Sequence, residues 1–130
     1  MILLSLKGSW QHGPFLVLFK LVYGETSFLF TGDMESNGEA SLLHFDSQLD
    51  VDVLKVGHHG SKTSTTDPFI KLVSPELTVV SVGYKNKFRH PSEAVLERIK
   101  QHTDRIHRTD HSGALWLRSN GKYIKEIHWK

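Results

Sequence analysis

At 130 residues the chain is long enough for one domain with a single core and short for two, and the absence of cysteine excludes disulfides, thiolate zinc sites and cysteine nucleophiles. Its 38% hydrophobic and 23% charged content excludes a disordered polymer, and a net charge of +2 is compatible with a polyanionic substrate but too slight for a dedicated nucleic-acid binder. No apolar run approaches the ~18 residues needed to span a bilayer, and Met1 to Leu6 lacks the length and basic lead-in of a signal peptide, so the chain as given reads as soluble.

In chain order, Phe15 to Tyr23 and Thr26 to Phe30 are apolar, β-branched and aromatic runs around Gly24-Glu25, which predicts an antiparallel hairpin. Thr31-Gly32-Asp33 ends the second strand. Ala40, Leu42, Leu43 and Phe45 in a polar frame predict a short helix over 35–45. Val51 to Val56 alternates with period two and reads as a strand that stops at Gly57-His58-His59-Gly60-Ser61. A Ser/Thr-rich loop follows, then Asp67-Pro68 opens a helix to about Val73. Leu77 to Val82 is a strand closed by Gly83, and Tyr84 to Pro91 is a loop carrying His90. Ser92 caps a helix through about Gln101, Arg105 to Arg108 is a short strand ending at Thr109-Asp110, and Ala114 to Arg118 and Lys122 to Trp129 form a last hairpin. There is no repeat, low-complexity tract or linker, so residues 1–130 form one domain.

From Thr26 onward strands and helices alternate, the pattern of parallel strands in one sheet joined by right-handed crossovers. Parallel strands end at one edge, where open α/β sheets bind ligands. The residues just past successive strand ends are Asp33, His58 and His59, His90, and Asp110. Each has an ordinary explanation taken alone: Gly-Asp is turn chemistry, and a histidine before proline is a packing residue. Two adjacent histidines between glycines are harder to dismiss. Glycine permits unusual backbone angles and close approach, and neutral imidazole is the commonest metal ligand.

With those residues the chain resembles the metallo-β-lactamase superfamily, in particular the C-terminal domain of ComEC/Rec2-type competence proteins, which take up DNA. The segments that carry the resemblance are Phe28 to Asp33, Val53 to Ser61 with Thr63-Ser64, Ser81 to Gly83, His90-Pro91 with Val95-Leu96, and Arg108 to Asp110 with Gly113-Ala114. They run from about residue 15 to 118. The resemblance implies a partial sandwich-type α/β metallo-β-lactamase fold, of which this is the second half. It implies divalent metal ions, zinc or manganese, one or two per complete site. Asp33 matches a metal-ligating, often bridging, catalytic aspartate, and either His58 or His59 matches the last ligating histidine. His90 matches a phosphate contact or a proton donor to the leaving group, and Asp110 a structural turn residue. The implied activity is nuclease-like hydrolysis of DNA or another phosphodiester. Relatives carry the domain on a membrane channel or stand alone, so location stays open.

One departure from the pattern matters. The family's main ligand cluster, His-x-His-x-Asp-His, is missing from this sequence; His107 to His111 has the wrong spacing and comes after the other motifs. A catalytic zinc needs about three protein ligands and an open position. The expectation is a catalyst that is incomplete without an upstream half, with an apolar sheet face left for that half or for self-association. Two other readings stand beside it: a non-catalytic remnant or interaction module, and a nucleic-acid-binding module in which Lys55, Lys62, Lys85, Lys87 and Arg89 contact phosphates.

Overall fold

The computed structural model describes residues 2–4 and 18–128. In order, the elements are β1 (Ile2–Leu4), β2 (Leu18–Tyr23), β3 (Thr26–Phe30), α1 (Ser36–Leu42), a 3₁₀ segment (Leu43–Leu49), β4 (Val53–Lys55) and a one-turn 3₁₀ segment (Gly57–Gly60). Then come α2 (Asp67–Val73), β5 (Leu77–Val80), α3 (Glu93–Lys100), β6 (Ile106–Arg108), α4 (Thr109–Ser112), β7 (Trp116–Ser119) and β8 (Ile124–Ile127). This is a mixed α/β architecture, as the alternation of runs predicts. Six strands form one sheet in the order β1-β2-β3-β4-β5-β6, and β7 and β8 form a separate hairpin.

The hairpin at the start of the sheet follows from its turn. Tyr23 faces Thr26 across a two-residue loop, and Gly24 at φ +59 supplies the positive angle that hairpin turns favour. A Cβ on Gly24 would also lie 2.3 Å from the Gly121 carbonyl oxygen, because the β7–β8 turn packs against it. The stretch 15–17 of the expected first strand lies outside the described residues, as does Trp129 of the last.

From β3 to β6 every pair is parallel, and each new strand is added on the same side of the last. Same-handed crossovers that always step in one direction must leave their helices on one face. The burial agrees. Leu29 and Leu54 pack with Leu42 of α1 and with Phe69, Ile70 and Val73 of α2. Val80 and Val56 pack with Val95 and Ile99 of α3. Leu29, Leu54 and Val80 share a sheet face by register and have no solvent exposure.

Among the described residues no helix lies on the opposite face. Leu21, Phe28, Phe30, Val53 and Val79 line an open apolar groove of about 580 Å³, with Leu117 of the β7–β8 hairpin along one side. Phe30 stays 39% exposed there, although it belongs to the centre of a sheet. Among the described residues this apolar face is only partly covered, which is consistent with the expectation of a further layer.

Several boundaries differ from the sequence reading, two of them with a visible cause, and β1 and α4 are not among its expected elements. The helix expected over 35–45 ends at Leu42, and the following 3₁₀ segment is broken where Asp46 turns to φ 47. Lys20, buried on β2, holds that segment by donating to the Gln48 and Asp50 carbonyls at 2.5 and 2.9 Å. The strand expected over 51–56 is only Val53–Lys55 long, because Asp52 turns its carboxylate to the Ser27 amide at 2.6 Å.

Candidate functional site

The turn after β4 explains its own sequence. His58 and His59 both take left-handed backbone angles (φ 47 and 56), a conformation costing about 1–3 kcal/mol in a residue with a side chain. The expectation that the flanking glycines carry the unusual angles is half met, since only Gly60 (φ +80) has one. Both glycines allow close approach: a Cβ on Gly57 would stand 2.7 Å from the Met34 carbonyl, and one on Gly60 2.5 Å from the Pro91 Cβ. The strained turn is held from several sides. His58 N–H donates to the Gly32 carbonyl at 2.9 Å, and Ser61 N–H to the His58 carbonyl at 3.0 Å. The Ser64 hydroxyl, fully buried, donates at 2.9 Å to both the Gly57 and Ser61 carbonyls.

This bracing carries the two imidazoles to the strand-end edge with different roles. His59 Nδ1 lies 2.7 Å from the Ser81 carbonyl, which only accepts, so Nδ1 donates there and, in the neutral tautomer, the lone pair sits on Nε2. That Nε2 faces Asp33, 4.0 Å from its Oδ1, and both side chains are open to solvent. Fixing an imidazole through the far nitrogen is how proteins orient a metal-ligating histidine. His58 instead donates through Nδ1 to Glu35 Oε1 at 2.9 Å, and the same oxygen accepts from the Thr63 hydroxyl at 2.9 Å.

His90 completes the cluster. Its ring stands 5.9 Å from that of His58, edge to face, and 5.9 Å from that of Phe88, nearly parallel. Desolvation, and after it the neighbouring His58 and His59, hold its pKa below the usual histidine range, so the neutral imidazole is favoured at neutral pH. Lys55, at the end of β4 on the open face, is lowered by burial, with the Asp33 charge opposing the shift.

Asp110 does not join. Arg108 donates to it from Nε at 3.1 Å and from Nη2 at 2.7 Å, and this pairing first of all holds its carboxyl below the usual range. Of the four strand-end positions, three converge and the fourth is turned into its own loop.

Sequence reasoning missed Glu35, Glu39, Ser81 and Asn86. Glu39 has almost no solvent exposure and accepts the Thr65 and Thr66 amides, pinning the loop behind the two histidines. Burial raises its pKa above the ordinary value against those hydrogen bonds. For Glu35, the spacing Asp33-x-Glu35 after a strand end was the available signal. A backbone carbonyl such as that of Ser81 has no residue-type signature at all.

Carboxylate oxygen and neutral imidazole nitrogen suit zinc or manganese. Asp33 and His59 fit as two donors of such a site. Among the described residues no group of three or more His, Cys, Asp or Glu side chains is gathered for a metal ion. No helix among them is long and apolar enough to cross a membrane.

Comparison with known proteins gives this edge a context. The chain is 40% identical over 95 residues to ComE operon protein 3 of Bacillus subtilis (strain 168), covering 73% of this chain and 12% of that protein. It is 44% identical over 106 residues to competence protein ComA of Neisseria gonorrhoeae (81% and 15%). With recombination protein 2 of Haemophilus influenzae it shares 37% identity over 90 residues (69% and 11%). The chain therefore spans less than a sixth of the length of these relatives. No solved structure matches it. The model of the Metallo-beta-lactamase superfamily matches residues 3–84, a range that contains Asp33, His58 and His59 and stops short of His90 and Asp110. The chain belongs to the metallo-β-lactamase superfamily.

Proposed function

We propose that this chain supplies the second half of a metal-dependent phosphodiesterase site, acting on DNA in competence, and that a further segment completes it. The observation that carries this reading is the pairing of Asp33 with His59, whose Nδ1 is turned to the Ser81 carbonyl so that Nε2 is the nitrogen facing Asp33. Asp33 and His59 would hold a divalent metal, which in such sites polarises the phosphoryl oxygen and lowers the pKa of water. Glu35 and Thr63 hold His58 in place beside His90. His90, neutral and at the rim, accepts a hydrogen bond from an incoming water or donates one to a phosphoryl oxygen through its second nitrogen. The context comes from relatives named for competence and recombination.

The open face supports the second part of the proposal. Phe28, Phe30 and Val79 form a surface that a further sheet or a second copy would cover, next to the edge where Lys55 and Asp33 lie. Two donors fall short of the three that a catalytic metal requires, so the missing ligands would arrive with that covering segment.

The test is reconstitution. The chain is co-expressed with an upstream segment bearing His-x-His-x-Asp-His and assayed on a labelled oligonucleotide with Mn²⁺ or Zn²⁺. Cleavage should need both parts, and Asp33→Ala and His59→Ala should each remove it by at least about a hundredfold. Assembly of the two parts without cleavage under either metal would favour the other reading, a module that keeps the fold without the chemistry. The observation on that side is that the described residues gather fewer than three metal donors.

A further inference from the structure

The loop from Tyr84 to His90 stands apart from the rest of the surface. Tyr84 is 73% exposed and Phe88 67%, the two most exposed large hydrophobic side chains among the described residues. Between and beside them lie Lys85, Lys87 and Arg89, with no acidic residue in the loop, so seven residues carry +3 where the whole chain carries +2. Lys85 Nζ sits 5.3 Å from the Tyr84 ring centre, and Lys87 Nζ 5.1 Å from that of Phe88. Each ring thus has an ammonium beside it.

The loop is shaped. Asn86 donates to the Gly83 carbonyl at 3.2 Å and the His90 carbonyl at 2.6 Å, and its own side-chain oxygen accepts the His90 amide at 2.9 Å. Lys85 and Arg89, on either side, turn to positive φ of 50 and 55. A braced loop that keeps two aromatic rings in water does not bury them for stability. Flat rings alternating with cations are what a flexible polyanion with unpaired bases recognises: bases stack on the rings and phosphates meet the ammonium groups. A duplex keeps its bases stacked inside and offers the rings nothing.

We infer that the 84–90 loop is a binding strip for single-stranded nucleic acid, with bases on Tyr84 and Phe88 and phosphates on Lys85, Lys87 and Arg89. Phe88 lies nearly parallel to His90, 21° between the rings, so a base stacked there continues toward the edge that holds Asp33 and His59. The strip deepens the phosphodiester reading by naming its substrate as a single strand, and in its role of feeding the site it rests on that reading.

The test is anisotropy of a fluorescein-labelled oligothymidylate and of a labelled duplex of equal length, titrated with the purified protein in EDTA. The strand should bind at least about tenfold more tightly than the duplex. Each of Tyr84→Ala and Phe88→Ala should weaken strand binding about five- to a hundredfold. Tyr84→Phe and Phe88→Trp, which keep a ring, should restore it. Lys85→Gln with Lys87→Gln should flatten the dependence of log affinity on log salt by roughly 1.4. Equal affinity for strand and duplex, or strand affinity indifferent to losing both rings, overturns the inference. Hydrolysis of bis(p-nitrophenyl) phosphate by the reconstituted protein is read in parallel. Cleavage without strand binding sinks the strip and leaves the phosphodiester reading intact. Ring-dependent strand binding without cleavage upholds the strip and removes the hydrolase.

Discussion

The two faces of the main sheet are made by the same strands and have opposite fates. Residues pointing one way, Leu29, Leu54 and Val80, meet helices α1 to α3 and lose all contact with solvent. Of the residues pointing the other way Val53 is buried, but Phe28, Phe30 and Val79, just as apolar, keep partial exposure in an open groove. Composition does not separate the faces. Topology does: four strands added in one direction put every crossover helix on one side, so among the described residues the helices cover one face and leave the other open.

The sharpest way to break that comparison is a matched pair of substitutions. Leu54→Ala, on the helix face, should cost about 2–5 kcal/mol in urea unfolding. Phe30→Ser, on the open face, where the ring is 39% exposed, should cost less, about 1–2 kcal/mol, and should reduce self-association in light scattering. Equal losses from both would mean that the open face is covered within the chain.

A smaller effect sharpens the account of how the helix face supports the site. Glu39→Ala leaves the buried Thr65 and Thr66 amides without their acceptor and should cost about 1–3 kcal/mol. Since burial raises the Glu39 pKa, the native state favours its protonated form. The stabilisation from that protonation is full below about pH 4.3 and is lost as pH rises through the higher native value. In a denaturation series across that window, the wild-type protein should lose stability relative to Glu39→Gln as pH rises.

The smallest effect concerns Asp110, on the edge but outside the cluster. Pairing with Arg108 depresses its pKa, so its contribution is present above the unfolded value of about 3.9 and is lost as pH falls through the native one. Asp110→Asn should therefore flatten the acid end of the stability profile and leave metal binding untouched. A loss of metal binding in that variant would return Asp110 to the site.

Much of this was legible beforehand, for physical reasons. Alternating strand and helix patterns force parallel strands, and parallel strands bring Asp33, His58, His59 and His90 to one edge whatever the details of packing. The open face was expected on a different ground, the resemblance to a family whose first half this sequence lacks. Which histidine faces Asp33 was not legible, because two adjacent residues in left-handed conformations do not obey strand or helix periodicity. The choice rests on the Ser81 carbonyl and on Glu35, partners that only folding brings within reach of 58 and 59. The break at Asp46 was hidden for a similar reason: it is held by Lys20, 26 residues earlier in the chain.

The most direct test of the central claim is a calorimetric titration of zinc and manganese into the protein and its Asp33→Ala, His59→Ala and His58→Ala variants. The account predicts binding that disappears without Asp33 or His59 and weakens about tenfold or less without His58, whose ring stands beside His90 while the Nε2 of His59 faces Asp33. Binding that survives in His59→Ala and vanishes in His58→Ala would contradict the assignment of His59 as the donor beside Asp33. Binding indifferent to all three would contradict the site itself.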